Sequence, residues 1–528
     1  MEAGQVSRRV DTPAQGIRGP NRGQMGGVWG TGRGGCCGVA LAAVLGLSLA
    51  AWAREGAAHE TTEQVAAARG ASEPRMGGVA RAELDPAWSW AGPTPIEWAA
   101  AVGNGEWAGI LVAASDGALH LVDARSGTAR WLAPVRAAPG VRPAGPLYGD
   151  PTGSAEVGAA SRDVFVFDRH AVYALALRGD EGLRWCTGRP PAPGESYPDD
   201  PEHLGGWLGA HGTADGVLAI RRAEAGTEML HLAAEDGRPL WKVPTPSVTE
   251  PRIHVADGPA AYGAVLWPQG RDSWLLVTTL GRDRPRPHLR RLPRWPAWSA
   301  ATQDGIVTVF EAEATFWPWA AAPRAVRLEG AALAGRVALW KGALGPQERA
   351  RPGRRDSQSQ PAASEIEWLV VGHDGTVSAY DLTGGGAVWR QAWGAELGAL
   401  RRIDVAGAHV IVDRTNVVVA CCAPSGRVVG RASAEGAVAL GATVCDGELR
   451  VLWVRKECVS LALTLLGHCA EPEATGTPRG THASREWVLR GAGEPRDVLW
   501  RRDALVLVAR DSLRAYVMSA RSAGRPSE

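Results

Sequence analysis

Two adjacent cysteines, Cys421 and Cys422, are the residues of this chain that most suggest chemistry, because neighbouring thiols can join in a vicinal disulfide. They end the apolar run NVVVACC, which is typical of a buried strand. Successive side chains of a strand point to opposite faces, so an in-strand pair closes a disulfide only with severe distortion. We interpret the pair as two ordinary strand cysteines. Disulfide pairing stays open among Cys186, Cys421, Cys422, Cys445, Cys458 and Cys469.

The remaining polar residues match no catalytic or metal-binding motif. No C-x-x-C zinc motif, G-x-S-x-G elbow or phosphate-binding loop is present in the sequence. Eight scattered histidines lack the spacing of metal ligands: His120, His170, His211, His231, His254, His288, His373 and His409. The 57 Lys and Arg balance the 56 Asp and Glu, so no net field attracts nucleic acid. We predict no enzyme activity, no catalytic, cofactor or metal site, no small-molecule substrate and no nucleic-acid partner.

One basic stretch, GRDRPRPHLRRLPRW at residues 281–295, has strand-like alternation around Leu289 and Leu292. Its plain interpretation is a solvated hairpin edge. The alternative is a patch that binds an anionic partner.

The chain contains a repeat, written most clearly as SDGALHLVDARSGTARWLAP (115–134) and HDGTVSAYDLTGGGAVWRQA (373–392). Counted from Asp116 and Asp374, Gly follows at +1, an aliphatic residue at +3, Asp at +7, Gly at +11 and Trp at +15. The acids at +7, Asp123 and Asp381, are interpreted as structural residues near a turn. Six weaker copies start at His170, Gly226, Asp304, Thr415, Lys456 and Arg510. The tryptophans expected at equivalent, buried positions are Trp131, Trp185, Trp241, Trp319 and Trp389.

This repeat predicts an all-β fold. An apolar strand, an Asp-Gly hairpin, an alternating strand and a second Gly turn follow each other, and the Trp fills the wedge against a neighbouring unit. The copies at Asp374, Thr415 and Lys456 are 41 residues apart, the length of a four-stranded propeller blade. We expect a single β-propeller of eight four-stranded blades, with seven as the alternative, preceded by one transmembrane or signal helix.

The pattern D-G-x-[LV]-x-x-x-D-x-x-x-G-x-x-x-W resembles the repeat of pyrroloquinoline-quinone-type (quinoprotein-like) β-propellers. That superfamily includes dehydrogenases, an outer-membrane assembly lipoprotein and non-catalytic relatives, so the resemblance implies the fold and not an activity. In its alcohol dehydrogenases, adjacent cysteines cover the quinone and a calcium ion polarises it. Here Asn104 and Asn416, the two asparagines in the repeat region, have no cluster of acidic neighbours that would supply calcium ligands.

Residues 102–117 and 211–220 resemble the FG-GAP segments of integrin α propellers, without the acidic calcium loop of that family. The layout of the whole chain is similar to the "family with sequence similarity 234" proteins. These are single-pass type II membrane proteins with FG-GAP-like repeats, which implies a membrane-anchored propeller.

Six segments are predicted along the chain: a disordered cytosolic leader (1–33), a transmembrane anchor or signal segment (34–53), a flexible stalk (54–87), the propeller (88–518), a mobile loop within it (345–364) and a disordered tail (519–528). The anchor prediction rests on twenty residues without a charge. Five arginines before it favour a cytosolic N-terminus: Arg8, Arg9, Arg18, Arg22 and Arg33. Cleavage after Ala53 stays open as the alternative.

We therefore predict a non-enzymatic, membrane-tethered propeller, single-pass type II, with the propeller extracellular or lumenal. It binds an unknown protein partner through its rim or its central channel. The alternative is a secreted or periplasmic quinoprotein-like propeller, either an assembly factor or a degenerate dehydrogenase.

Overall fold

Apolar runs bounded by turns form strands throughout the described chain. In Val417–Cys422, for example, all six residues are buried, because β-branched and small side chains pack on both faces of the sheet. The tight turns depend on glycine. Gly117, of the clearest Asp-Gly turn, has a φ of +82°, and a Cβ there would lie 2.1 Å from the carbonyl oxygen of Ala137.

The computed structural model describes residues 81–103, 109–145, 163–188, 206–213, 215–224, 226–256, 262–280, 285–319, 321–328, 336–342, 366–373, 375–382, 384–393, 397–415, 417–456, 458–467, 469 and 485–518. The predicted leader, anchor segment, mobile loop and tail, at 1–33, 34–53, 345–364 and 519–528, lie outside these residues, as does most of the stalk.

The described residues form nine sheets, here called blades 1–9 in chain order. The first four are blade 1, β3 (Ile96–Val102), β4 (Gly109–Ala114), β5 (Ala118–Val122) and β6 (Val135–Arg136); blade 2, β7 (Arg142–Pro143), β8 (Asp163–Phe167), β9 (Ala171–Ala176) and β10 (Leu183–Gly188); blade 3, β11 (Trp207–Gly212), β12 (Gly216–Ala223), β13 (Gly226–Ala233) and β14 (Pro239–Thr245); and blade 4, β15 (Arg252–Ala256), β16 (Tyr262–Gln269), β17 (Asp272–Thr279) and β18 (His288–Leu292).

The next four are blade 5, β19 (Trp298–Ala301), β20 (Gly305–Val309), β21 (Glu313–Pro318) and β22 (Arg324–Arg327); blade 6, β23 (Val337–Gly342), β24 (Ile366–His373), β25 (Thr376–Asp381) and β26 (Ala387–Ala392); blade 7, β27 (Leu400–Ala406), β28 (His409–Arg414), β29 (Val417–Cys422) and β30 (Val428–Ser433); and blade 8, β31 (Val438–Cys445), β32 (Glu448–Val454), β33 (Val459–Leu465) and β34 (Arg485–Leu489). Within these blades, consecutive strands pair antiparallel.

Blade 9 joins the two ends of the described chain. Its sequential strands are β35 (Asp497–Trp500), β36 (Ala504–Val508) and β37 (Ser512–Val517), and its fourth is β2 (Trp88–Ala91), which pairs antiparallel with β37. A short preceding strand, β1 (Arg81–Leu84), lies parallel to β34 as a fifth strand of blade 8. The N-terminal strands therefore tie the first and last blades together.

Nine apolar clusters hold the blades in a ring. Each cluster lies between two neighbouring blades, and the cluster that contains Ile96 of blade 1 and Leu499 of blade 9 closes the circle. A single blade cannot bury both of its faces, so radial stacking with closure supplies the core.

The predicted single all-β propeller is correct, but the predicted count of eight or seven blades is wrong, because the described residues form nine. The missed unit is blade 4, which carries neither the Asp-Gly start nor the tryptophan at +15. The candidate copy at Asp304 also has a wrong register: it lies between the first and second strands of blade 5, whereas the other seven lie between second and third strands.

The helix predicted before the propeller is likewise no part of the described fold, which contains no α-helix. Within the described residues, no helix has the length and apolar character that crossing a membrane requires.

Candidate interaction surface

The adjacent cysteines lie in β29 with their side chains on opposite faces of blade 7. Cys421 packs in the cluster between blades 6 and 7, and Cys422 in the cluster between blades 7 and 8. Both are buried, and burial raises the pKa of the Cys421 thiol to about 12. The pair serves as core packing, in agreement with the interpretation from strand geometry. Cys186, Cys445 and Cys458 are free thiols, and Cys469 Sγ lies 3.8 Å from His409 Nε2.

The repeat acid Asp123 builds a turn. Its Oδ1 accepts hydrogen bonds from the backbone N–H groups of Arg125 (2.9 Å) and Ser126 (3.0 Å), and its Oδ2 pairs with Arg130 at 2.7 Å. Partial burial acts to raise the pKa of Asp123, but Arg130 and the two backbone donors outweigh it and hold the pKa at about 2. In the second clear copy, the backbone carbonyl of Asp381 accepts from Gly385 (2.8 Å), while Asp374 lies outside the described residues.

We expect Asp123→Asn to lower the free energy of unfolding by about 1 kcal/mol at neutral pH, a value that allows for solvent screening of the pair. A carboxyl whose pKa is depressed on folding contributes stability above its unfolded pKa of about 4, and loses it as the pH falls towards 2. Urea unfolding of both proteins from pH 7 to pH 2 measures this. A difference that stays constant down to pH 2 would contradict it.

The repeat tryptophans connect neighbouring blades. They lie in or just before the fourth strand, and three indoles donate to a backbone carbonyl of the following blade: Trp131 to Ala176 (3.2 Å), Trp185 to Ala234 (2.7 Å) and Trp389 to Ala423 (2.6 Å). Trp241 of blade 3 is buried against the core that it shares with blade 4. The predicted equivalence is therefore confirmed for these four, of which Trp389 is only half-buried.

The fifth tryptophan, Trp319, is buried but not equivalent. It follows the third strand of blade 5, and its indole donates to Gln303 of the same blade at 2.9 Å. The prediction is wrong at this position because the copy at Asp304 starts one hairpin too early.

Two histidine contacts brought together by the fold were not predicted. His254 Nε2 lies 2.9 Å from Ser299 Oγ, on the first strands of blades 4 and 5. Burial, with His211 and Arg252, lowers the pKa of His254 to about 4, so the ring is neutral and a weak base near pH 7. In blade 3, Thr213 Oγ1 and Asp215 Oδ1 both lie close to His231 Nε2. Because both contact the same nitrogen, the ring does not connect them as a proton relay. Among the described residues no three metal-ligating side chains cluster.

Charged pairs also occur on the first strand of blade 7. Arg402 pairs with Asp404 at 2.6 Å, and Arg401 lies 3.8 Å from Asp413 of the adjacent strand. Burial raises the pKa of Asp413 to about 6, against the opposing effect of the two arginines. The two arginines and two aspartates balance each other, so this cluster has no net charge that would attract a charged partner.

The outer strands of blades 4 and 5 are both rich in arginine. β18 (HLRRL) and β22 (RAVR) contain four arginines and no acid. We name this surface the basic rim, and define it by the arginines on and beside these two strands: Arg286, Arg290, Arg291, Arg294, Arg324 and Arg327. All but Arg290 are exposed, and Leu289 beside it is 45% exposed. The basic stretch of the sequence thus lies on an open blade edge, beside a second basic strand.

Arg291 and Arg294 of the basic rim contact carboxylates, whereas the contact described for Arg290 is to a backbone carbonyl. Arg291 pairs with Asp272 (2.5 Å) and Arg294 with Glu311 of blade 5 (3.2 Å). The half-buried Arg290 instead directs Nη2 to the carbonyl of Ala321 in blade 5, at 3.5 Å. Its Nη1 is buried without a hydrogen-bond partner in the part of the chain that the structure describes. A buried cationic donor of this kind is favourable only when an acceptor reaches it.

Comparison with known proteins gives one family match. The family described as outer membrane protein assembly factor BamB matches residues 373–459, which include all of blade 7. No curated protein matches the chain. Similar solved structures include BamB from Moraxella catarrhalis, with 14% identity over 74% of this chain and 99% of that chain and a TM-score of 0.38. The C-terminal WD40 domain of Sif2 has 6% identity over 83% of this chain and 99% of that chain, with a TM-score of 0.42. The WD40 domain of SCAP from fission yeast has 9% identity over 82% of this chain and 98% of that chain, with a TM-score of 0.40.

The similarity in layout to the "family with sequence similarity 234" proteins is not confirmed by these comparisons. The nine-bladed ring and the match over residues 373–459 together support the pyrroloquinoline-quinone-like propeller superfamily as the group to which this chain is related.

Proposed function

We propose that this protein is a non-enzymatic binding module that holds a protein partner on its basic rim. The observation that carries the proposal is the half-buried Arg290, which lies between exposed arginines on an open blade edge and whose buried Nη1 has no acceptor among the described residues. An exposed apolar side chain, Leu289, lies beside it, and Arg together with apolar contact area is typical of the centre of protein interfaces.

The family match supports the assembly-type form of this function. The matched family is described as an outer membrane protein assembly factor, and assembly factors act by binding other proteins. The match covers residues 373–459 and not the basic rim, so the choice of surface rests on the charges and burial of blades 4 and 5.

We further propose that the propeller acts outside the cytosol, tethered to a membrane through the apolar segment 34–53, with the N-terminal leader in the cytosol. The support is the uncharged sequence of that segment and the arginines before it. A secreted or periplasmic assembly factor is the alternative. N-terminal sequencing of the mature protein separates the two, since an intact Met1 means an anchor and a start at Arg54 means cleavage.

The test of the binding module is site-specific crosslinking in the native cell. With p-benzoylphenylalanine in place of Leu289, we expect irradiation to link the full-length protein to a discrete partner protein. The matched control places the same group at Leu240, on the outer strand of blade 3, which is 38% exposed and therefore similarly accessible. Equal crosslinking from both positions, or none from Leu289, would contradict the assignment of the basic rim.

A further inference from the structure

The outer edge of blade 8 shows how this propeller takes an additional strand. β1 lies parallel to β34 and pairs Arg81–Leu84 with Glu486–Leu489. The added strand is followed by an acid and contains another, and both meet the same blade residue: Arg490 pairs with Glu83 and lies 3.7 Å from Asp85. Main-chain pairing and a carboxylate–guanidinium contact thus act together at this edge.

The outer edge of blade 4 also combines an outer strand with an arginine, but no described strand is added to it. β18 is the terminal strand of its sheet, and no described strand pairs with its outer side. Arg290 lies within it, with Nη1 buried and unpaired among the described residues. Glu83 and Asp85 supply carboxylates on blade 8, whereas β18 and β22 contain no acidic residue of their own. Neither of these two strands therefore supplies a carboxylate for this donor.

The chemistry of this edge favours a peptide over other anions. An open strand edge presents alternating backbone N–H and C=O groups, which a polypeptide satisfies in register and which a nucleic acid or a lipid headgroup does not. A carboxylate accepts two parallel hydrogen bonds from one guanidinium, and a half-buried position strengthens them. The exposed Arg286, two residues before β18, extends the positive charge along the line of this strand.

We propose that β18 binds an extended acidic segment of a partner protein as a fifth strand of blade 4, with a carboxylate of that segment bound by Arg290. This rests on the proposed function and names the chemistry of its partner. The other arginines of the basic rim act at longer range: they attract the acidic segment and fix its direction along the strand.

The test uses the full-length protein and a fluorescein-labelled alternating peptide, (Glu-Val)4, with binding followed by fluorescence anisotropy. We expect Arg290→Gln to weaken binding about tenfold, and Arg290→Lys, which keeps the charge without the bidentate geometry, to weaken it less. The control Arg431→Gln removes an exposed arginine from β30, the outer strand of blade 7, and should change binding by less than twofold. Circular dichroism verifies that each variant is folded.

Two further ligands separate strand addition from simple charge attraction. Two further peptides carry N-methyl groups on alternate residues, one on every Glu and the other on every Val, so each lacks half of its backbone N–H donors. The peptide whose methyl groups fall on the N–H groups that face β18 should bind about tenfold more weakly. Oligo-dT and phosphatidylserine vesicles should bind no better to the wild type than to Arg290→Gln. Equal peptide binding by Arg290→Gln and Arg431→Gln, or loss of oligo-dT binding in step with the peptide, would overturn the inference. A protein crosslink at Leu289 would in that case still support the binding module.

Discussion

Replacing Trp185 by alanine is expected to lower the free energy of unfolding by about 3–5 kcal/mol. The side chain is 9% exposed and lies in the cluster between blades 2 and 3, where its ring packs 5.8 Å from that of Phe165. Its indole also donates to Ala234 of blade 3 at 2.7 Å. The substitution removes apolar contact with two blades and leaves a cavity that the rigid turn at Gly237 cannot fill.

Trp185→Phe is the matched control, because it keeps most of the ring and removes the inter-blade hydrogen bond. We expect it to cost about 1–2 kcal/mol, from the lost bond and a smaller void. Guanidinium unfolding monitored by far-ultraviolet circular dichroism measures both variants. A loss of less than about 1 kcal/mol in Trp185→Ala would show that the repeat tryptophan does not hold the blades together.

The second large effect is expected at the +11 glycines of two consecutive repeats. Gly426 and Gly385 have nearly the same backbone, with φ values of +70° and +73°. A Cβ on Gly426 would lie 2.5 Å from the ring of Trp389, whereas one on Gly385 would meet nothing within 4 Å. Gly426→Ala is therefore expected to cost about 2–4 kcal/mol, from both strain and overlap, and Gly385→Ala about 1–2 kcal/mol from strain alone.

The difference between these two variants isolates the contact with tryptophan, because the conformational cost is common to both. Thermal and urea unfolding of each protein give the two values. If both substitutions destabilise equally, the glycine is required only for its turn and not for the approach of the indole from the preceding blade.

Much of a single blade could be predicted from its residues. The Asp-Gly turn at Asp116, the alternating strand after it and the tryptophan at Trp131 are local signals, since turn chemistry and strand periodicity depend on neighbours in sequence. The placement of Cys421 and Cys422 on opposite faces followed in the same way, from the two-residue period of a strand. These predictions hold because each of them concerns one hairpin.

Ring size could not be predicted in this way. Blade 4 lacks the repeat residues, and its core is formed by strands such as β16, whose buried residues include Trp267. A blade in a ring is stabilised by the faces of both neighbours, so its own turn and tryptophan signals can be absent without loss of the strand pattern. Trp319 was assigned to the wrong strand because the Asp-Gly pair of blade 5 lies in the first hairpin of its blade and not in the second.

The sequence by itself determined that the repeat region is all-β, that its units are four-stranded and that a tryptophan joins one unit to the next, because these properties are local and repeated. Only the tertiary structure decided that nine blades close the ring, that β2 completes blade 9, and that Arg290 lies beside Ala321 with a buried donor unpaired among the described residues. Those facts depend on packing between blades and on residues distant in sequence, for which turn signals and side-chain period carry no information.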